Sequence, residues 1–200
     1  MFHGNLCACL SWRCGYSVFF VYFCNLNSTF FHRMEDNEVL QRLSESLGGA
    51  EVRALTKEVP CSLLVPRLYV EDFQVARNAA WVLTHKPISQ IRTLPYNDLI
   101  DLIMVTPDTS LRRLTLNLVE KQEITEESMR TDFLDFCLLH MHLPDEPPGV
   151  QALCMKLAYR MCSFYPELMH EFQVNLSIIQ PELLKPGVKH LIKKYQNNKH

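Results

Sequence analysis

Glycine is scarce in this chain, six in 200 residues. Runs in which apolar and polar residues alternate are scarce too. These two shortages argue against an all-β fold, whose strands need a period of two and whose tight turns draw on glycine. Long apolar runs are missing as well. The best stretch, Tyr16 to Cys24, falls short of the roughly 20 residues that span a bilayer. Positive charge is not in excess: 20 Lys and Arg stand against 22 Asp and Glu, a net charge of −2. That balance leaves no overall basic footprint for nucleic acid.

Catalytic signatures are also absent. From Met34 onward there is no C-x-x-C or H-E-x-x-H, and no G-x-S-x-G, P-loop or G-x-G-x-x-G. The Gly-Ser-Ser-rich loop ending in Met-Pro-x-Lys, which marks the fumarase and adenylosuccinate lyase superfamily, is not here either. Acid pairs do occur at helical spacing, Asp98 with Asp101 and Asp132 with Asp135. They read as solvated helix faces rather than a carboxylate catalyst. His140 and His142, two apart on an expected helix, point in different directions and cannot share a metal. No metal and no cofactor is expected.

What is present is a chain able to build a core. Apolar residues make up 48% and charged residues 21%, the balance of an ordinary globular domain. Its charge is unevenly placed. Residues 1–33 carry Arg13 and Arg33 and no acid. Residues 34–184 hold all 22 acids against 13 Lys and Arg, hence about −9. Residues 185–200 hold five lysines and no acid.

The first 33 residues differ in kind, with four of the eight cysteines. They read as an extension outside the fold, with Met34 as a natural start. A weak signal peptide, with Val18–Cys24 as its core, is the alternative. The domain is expected over 34–200. Its four cysteines, Cys61, Cys137, Cys154 and Cys162, are scattered, which suits a reducing compartment and hence, provided residues 1–33 do not act as a signal, the cytoplasm.

The organising stretch is Glu71–Leu83, EDFQVARNAAWVL. Asp72 can cap a helix by accepting from the unpaired N–H groups of its first turn. Ala76, Ala80 and Leu83 recur at i, i+4 and i+7, and Val75, Ala79 and Val82 widen the stripe. Three near-copies follow in spacing: VARNAAWVL at 75, LRRLTLNLV at 111, VQALCMKLA at 150 and VKHLIKKYQ at 188. Each comes after a turn rich in proline or acid, and each is preceded by another helical stretch: SLLVPRLY, PYNDLIDLIMV at 95–105, MRTDFLDFCLLHMHL at 129–143 and HEFQVNLSIIQPELL. In the third of these, Phe133, Phe136, Cys137 and Leu139–His140 are expected on the buried side. A repeat of helix, turn, helix at a period near 38 implies a solenoid in which stacked neighbours share one core. The leading helix, 36–47, opens at Asp36–Asn37, stops at Gly48-Gly49 and serves as the N-terminal cap. The lysine-rich helix 186–196 serves as the C-terminal one.

The ARNAAWVL helix with its acidic turn resembles the second helix of a HEAT repeat. Residues 35–196 are similar to small bacterial HEAT-like, armadillo-type repeat proteins, related in fold to the DNA-alkylation-repair solenoids. Arg77 stands where that pattern has an Arg early in the second helix, Arg112 or Arg113 answers it in the next repeat, and the later repeats depart from it. The resemblance implies an all-α, right-handed α-solenoid of about four helical hairpins. It also implies that second helices line the concave face. Arg77, Trp81, Arg112, Arg113, Asn117, Lys156, Arg160, Lys189 and Lys193 would then share one basic surface. From their i, i+4 spacing, Trp81 is expected to pack against the neighbouring repeat with Arg77 capping an inter-repeat contact; a guanidinium–indole stack between the two is the alternative. The function expected is a non-enzymatic scaffold that binds a protein partner there, without spanning a membrane. The alternative is a nucleic-acid-binding solenoid of the alkylation-repair type, although no Asp stands at a convincing catalytic position.

Overall fold

Asp72 caps α4 (Phe73–Thr84) as its carboxylate allows: Oδ1 accepts from the backbone N–H groups of Gln74 at 2.8 Å and Val75 at 3.4 Å. Behind that cap, Ala76, Ala79, Ala80, Val82 and Leu83 lose all exposure. Their small side chains let neighbouring helices approach closely. Asp108 repeats the device for α7 (Thr109–Glu120), accepting from the Leu111 N–H at 2.7 Å.

A computed structural model describes residues 29–179 and 185–197 of the chain, with side chains from Asp36 onward. The extension read at the N-terminus therefore lies largely outside the described residues. Among the described residues there are eleven α-helices and no strands. The remaining helices are α1 (Thr29–Ser44), α2 (Gly49–Glu58), α3 (Cys61–Leu64), α5 (Ile88–Ile91), α6 (Tyr96–Val105), α8 (Thr131–His140), α9 (Pro148–Cys162), α10 (Pro166–Ile178) and α11 (Pro186–Asn197). They form two layers. In one, α4 packs on α7, α7 on α9 and α9 on α11, with α2 ahead of α4. In the other, α3 and its continuation pack on α4, α6 on α7, and α8 and α10 on α9. The four repeat segments read from the sequence sit in α4, α7, α9 and α11, so the fold is the expected all-α solenoid.

Four local expectations change. Helix α1 begins by Thr29 rather than at Asp36, so Asp36 lies inside the helix. It pairs there with Arg67, which also reaches its backbone carbonyl. Gly48-Gly49 does not simply end a helix, because Gly48 is the N-cap of the further helix α2. Arg42, in the last turn of α1, ties the two helices through Glu51 and Glu58. The segment SLLVPRLY turns from α to 3₁₀ geometry at Val65–Tyr69, where Pro66 supplies no backbone N–H for an α-helical bond. Finally, α8 buries Phe133, Leu134, Cys137 and Leu138, while Leu139 is 51% exposed and Phe136 half-buried. The segment is apolar nearly all round, so its period alone does not choose between Leu138 and Leu139.

The layers are pinned at the helix ends. The last carbonyls of a helix have no partner within it and carry the negative end of its dipole. Lys86, just past α4, donates to the carbonyls of Thr56 and Val59 at the end of α2, both at 2.5 Å. Lys121, just past α7, donates to Thr84 O at the end of α4 at 2.7 Å. Arg160, near the end of α9, donates to Glu120 O at 2.6 Å and Gln122 O at 2.8 Å, at the end of α7. Three second helices, α4, α7 and α9, thus each send a cation back to cap the helix before them. Burial pushes the Lys86 ammonium below its ordinary value, with nearby Cys61 acting the other way. Farther along, Tyr159, Phe172 and Tyr195 form an aromatic cluster with centroids 4.4 to 5.8 Å apart that fastens α11 to α9 and α10.

Removing the Arg160 cap while keeping its stem tests the pinning. Arg160→Met is expected to lower stability by about 2 kcal/mol, the scale of hydrogen bonds from a charged donor. Arg160→Lys should keep part of it. Urea unfolding of both variants checks this. Equal midpoints for Arg160→Met and the parent would show that the cap contributes nothing.

Candidate binding face

Each second helix leaves one side uncovered. On α4 that side carries Phe73, Arg77 and Trp81, spaced i, i+4, i+8. On α7 it carries Ser110, Arg113, Asn117 and Glu120, and on α9 Gly149, Ala152 and Lys156. Contacts between helices join these sides. Arg77 Nη1 lies 3.1 Å from Oδ2 of Asp108, the cap of α7. The Arg113 side chain runs across Gly149 in the first turn of α9, where an added Cβ would stand 2.8 Å from its Cδ. Lys156 Nζ sits 3.5 Å from Glu120 Oε1.

The nine residues read from the sequence meet different surroundings. Arg77 is 37% exposed and directs its guanidinium to Asp108 and to Gln74 Oε1 at 3.2 Å. Trp81 is half-buried, and its ring neighbour is His85, edge-on at 6.4 Å. Of the two readings of this pair, Arg77 makes the inter-repeat contact, to Asp108 of the next repeat, and no Arg77–Trp81 stack forms. Arg113 is exposed, Asn117 half-buried and Lys156 39% exposed. Lys189 is half-buried and Lys193 exposed on α11. Arg160 is a cap to α7. The exposed Phe73, one turn before Arg77, escaped the sequence reading. Its signal was its place at i−4 from Arg77, directly after the Asp72 cap.

Arg112 turns the other way. It donates to Glu146 Oε1 at 3.1 Å, to Thr106 O at 2.7 Å and to Ile103 O at 3.3 Å, and lies over the Phe136 ring at 5.9 Å. Only 14% of its side chain is exposed, and 9% of that of Glu146. His140 Nδ1 also meets Glu146 Oε1, at 2.6 Å, and its ring stacks on Phe136 at 3.9 Å. Glu146 Oε2 and His142 Nδ1 are buried without a partner among the described residues. His142 lies beyond the end of α8, not on the helix as its spacing suggested. Among the described residues no group of three or more His, Cys, Asp or Glu side chains could hold a metal.

One acid of each pair on the other layer, Asp101 and Asp132, is tied by an arginine, and both stay largely exposed, as a solvated face requires. Arg130 reaches Asp101 of α6 and Asp132 of α8, each at 2.6 Å. The Arg130 hydrogen bond holds the Asp132 carboxyl below its ordinary value, and the two acids raise Arg130 in turn. The described cysteines are free thiols. Burial pushes Cys137 well up, and its neighbour Cys154 adds to the effect. Among the described residues no helix is long and apolar enough to cross a membrane.

A family model described as a HEAT repeat domain matches residues 39–199. Comparison with curated proteins and with solved structures yielded no match.

Adjacent arginines with opposite surroundings make a direct test of this geometry. Arg112→Met strands a buried carboxylate and is expected to cost about 3 kcal/mol. Arg113→Met removes an exposed charge and should stay within about 0.5 kcal/mol. Thermal and urea unfolding of the two variants should separate them clearly. Similar losses in both would contradict the orientation described for Arg112.

Proposed function

The chain belongs to the HEAT repeat domain family, and on that premise we propose that it is a non-enzymatic scaffold that binds another protein across its second helices. The observation behind this reading is the uncovered stripe on α4. It holds Phe73 at 41% exposure, Arg77 at 37% and the half-buried Trp81, within two turns. Aromatic and arginine side chains dominate the energetics of protein interfaces, because they bring large apolar area and directed donors at low entropic cost. A rigid helix presents them already ordered, which reduces what association must overcome. Arg113, Asn117 and Lys156 continue the stripe onto α7 and α9. In solenoids of this kind the second helices line the concave surface, so we place the partner there. The free thiols of Cys61, Cys137, Cys154 and Cys162 fit a cytoplasmic protein.

A photocrosslinking residue placed at Asn117 tests the reading, with one at Asp135 on the opposite layer as control. In a nuclease-treated lysate of the source cells, the Asn117 probe should give a discrete protein adduct that the Asp135 probe does not. Equal, diffuse labelling from both positions would reject the assignment of the face. An adduct that nuclease removes would favour nucleic acid instead.

A further inference from the structure

The two layers differ in charge. The second helices α4, α7, α9 and α11 carry eight Lys and Arg: one in α4, two in α7, two in α9 and three in α11. Their single acid is Glu120. The first helices α6, α8 and α10 carry Asp98, Asp101, Asp132, Asp135, Glu167 and Glu171, and no Lys or Arg. Arg67, in the 3₁₀ stretch before α4, is turned against Asp36. A net charge near zero over the whole chain therefore hides a molecule that is positive on one layer and negative on the other.

The positive layer also has its own acids engaged. Asp108 is paired with Arg77, and Glu120 with Lys156. Arg160 donates to carbonyls, which are neutral, so its charge is not cancelled. Arg113 stands exposed between Arg77 and Lys156 along the stripe. Apolar surface on this stripe gathers at one end, at Phe73 and Trp81; Arg113 and Lys156 follow, and α11, which packs on α9, carries Lys189, Lys193 and Lys194 beyond them. A complementary ligand is negative along most of its length and aromatic or aliphatic at one end.

We infer that the partner presents an acidic, aromatic-anchored protein segment to this face. Its apolar anchor seats against Phe73 and Trp81, and its carboxylates lie along Arg113, Lys156 and the α11 lysines. This inference rests on the interaction reading above and names the chemistry of the partner. An extended acidic segment suits the site because each carboxylate meets a separate cation from a separate helix. The opposite layer repels the same segment, which restricts it to one side. A polyphosphate chain shares the charge but lacks the anchor.

The experiment measures binding of fluorescent peptides to the full chain by anisotropy. The peptides have equal length and the same two aromatic residues at one end, while glutamine is replaced stepwise by glutamate along the rest. Affinity should rise by about tenfold or more across the series at physiological salt and fall as salt is raised. Arg113→Glu with Lys156→Glu should abolish that gain. Gln90→Glu with Arg92→Glu adds nearly as much negative charge at exposed sites in and just past α5, away from the second helices, and should leave the gain in place. Replacing the two aromatic residues by alanine should weaken the most acidic peptide.

A flat glutamate series overturns the inference. So does an equal loss in both double variants, which would mean general attraction rather than a site. A single-stranded oligonucleotide of equal charge that binds more tightly than every peptide overturns it in favour of nucleic acid, and anionic vesicles doing so would favour a lipid surface. If the Asn117 probe captures a protein while the glutamate series is flat, only the partner chemistry falls. If both fail, the interaction reading falls with it.

Discussion

Stacking parallel helices side by side, with like ends together, has an electrostatic cost, and the way this chain offsets it organises the fold. In the layer formed by α2, α4, α7 and α9, the carbonyl ends lie together on one edge. Like dipole ends side by side repel, and each end also exposes carbonyls with no partner of their own. Lys86, Lys121 and Arg160 answer both problems with one side chain per step. The cation meets negative partial charge, its N–H groups satisfy the orphan oxygens, and its position one repeat later fixes the register between neighbours. The opposite edge uses acids in the complementary way. Asp72 and Asp108 cap the N-termini of α4 and α7, and Arg77 of one repeat reaches Asp108 of the next.

This division of labour decides which charges remain for a partner. A cation that closes a helix end is a structural part: Lys86 is buried, and Lys121 and Arg160 are half-buried. A cation sunk against a carboxylate, as Arg112 is against Glu146, contributes to stability and little to the surface. Arg113 and Lys156 are different: they stand on the uncovered side, and their neighbours leave them accessible. The buried knot of Arg112, Glu146, His140 and Phe136 then has a plain role. It holds the turn before α9 against α7 and α8, and so sets the height at which Gly149 passes under Arg113. With no side chain on Gly149, the shaft of Arg113 can lie flat across the first turn of α9.

The charge division between the layers follows from the same economy. First helices face solvent with Asp and Glu, and Arg130 draws two of these acids together. Second helices need cations at their C-terminal ends for the capping just described, and additional ones appear along the uncovered side. A chain that is nearly neutral in total is therefore polarised across its thickness. A partner that meets the second helices sees a surface unlike the one its overall composition suggests.

Much of the architecture was legible in the sequence, for reasons that are local. Small apolar residues at i, i+4 and i+7 in Glu71–Leu83, a capping Asp before them and the return of that spacing at 111, 150 and 188 depend only on helical periodicity and backbone capping. They suffice to imply stacked hairpins. The helix boundaries around Gly48 and Pro66 were less legible, since a glycine can end one helix or begin the next, and a proline can end an α-helix or tighten it into a 3₁₀ turn. The proposed binding face was legible only as a set of residue types. Spacing placed Arg77 and Trp81 on one side of α4, yet nothing local distinguishes Arg112 from Arg113, or Leu138 from Leu139. Those choices depend on which side of a helix a neighbour covers, and the neighbours that decide them lie some thirty residues away: Glu146 for Arg112 and Glu120 for the approach of Lys156. Periodicity by itself thus determined the helices and their repetition. Tertiary packing decided which of their cations are buried, which close a helix end and which stay open to a partner, because burial and pairing are properties of the assembled layers rather than of any one segment.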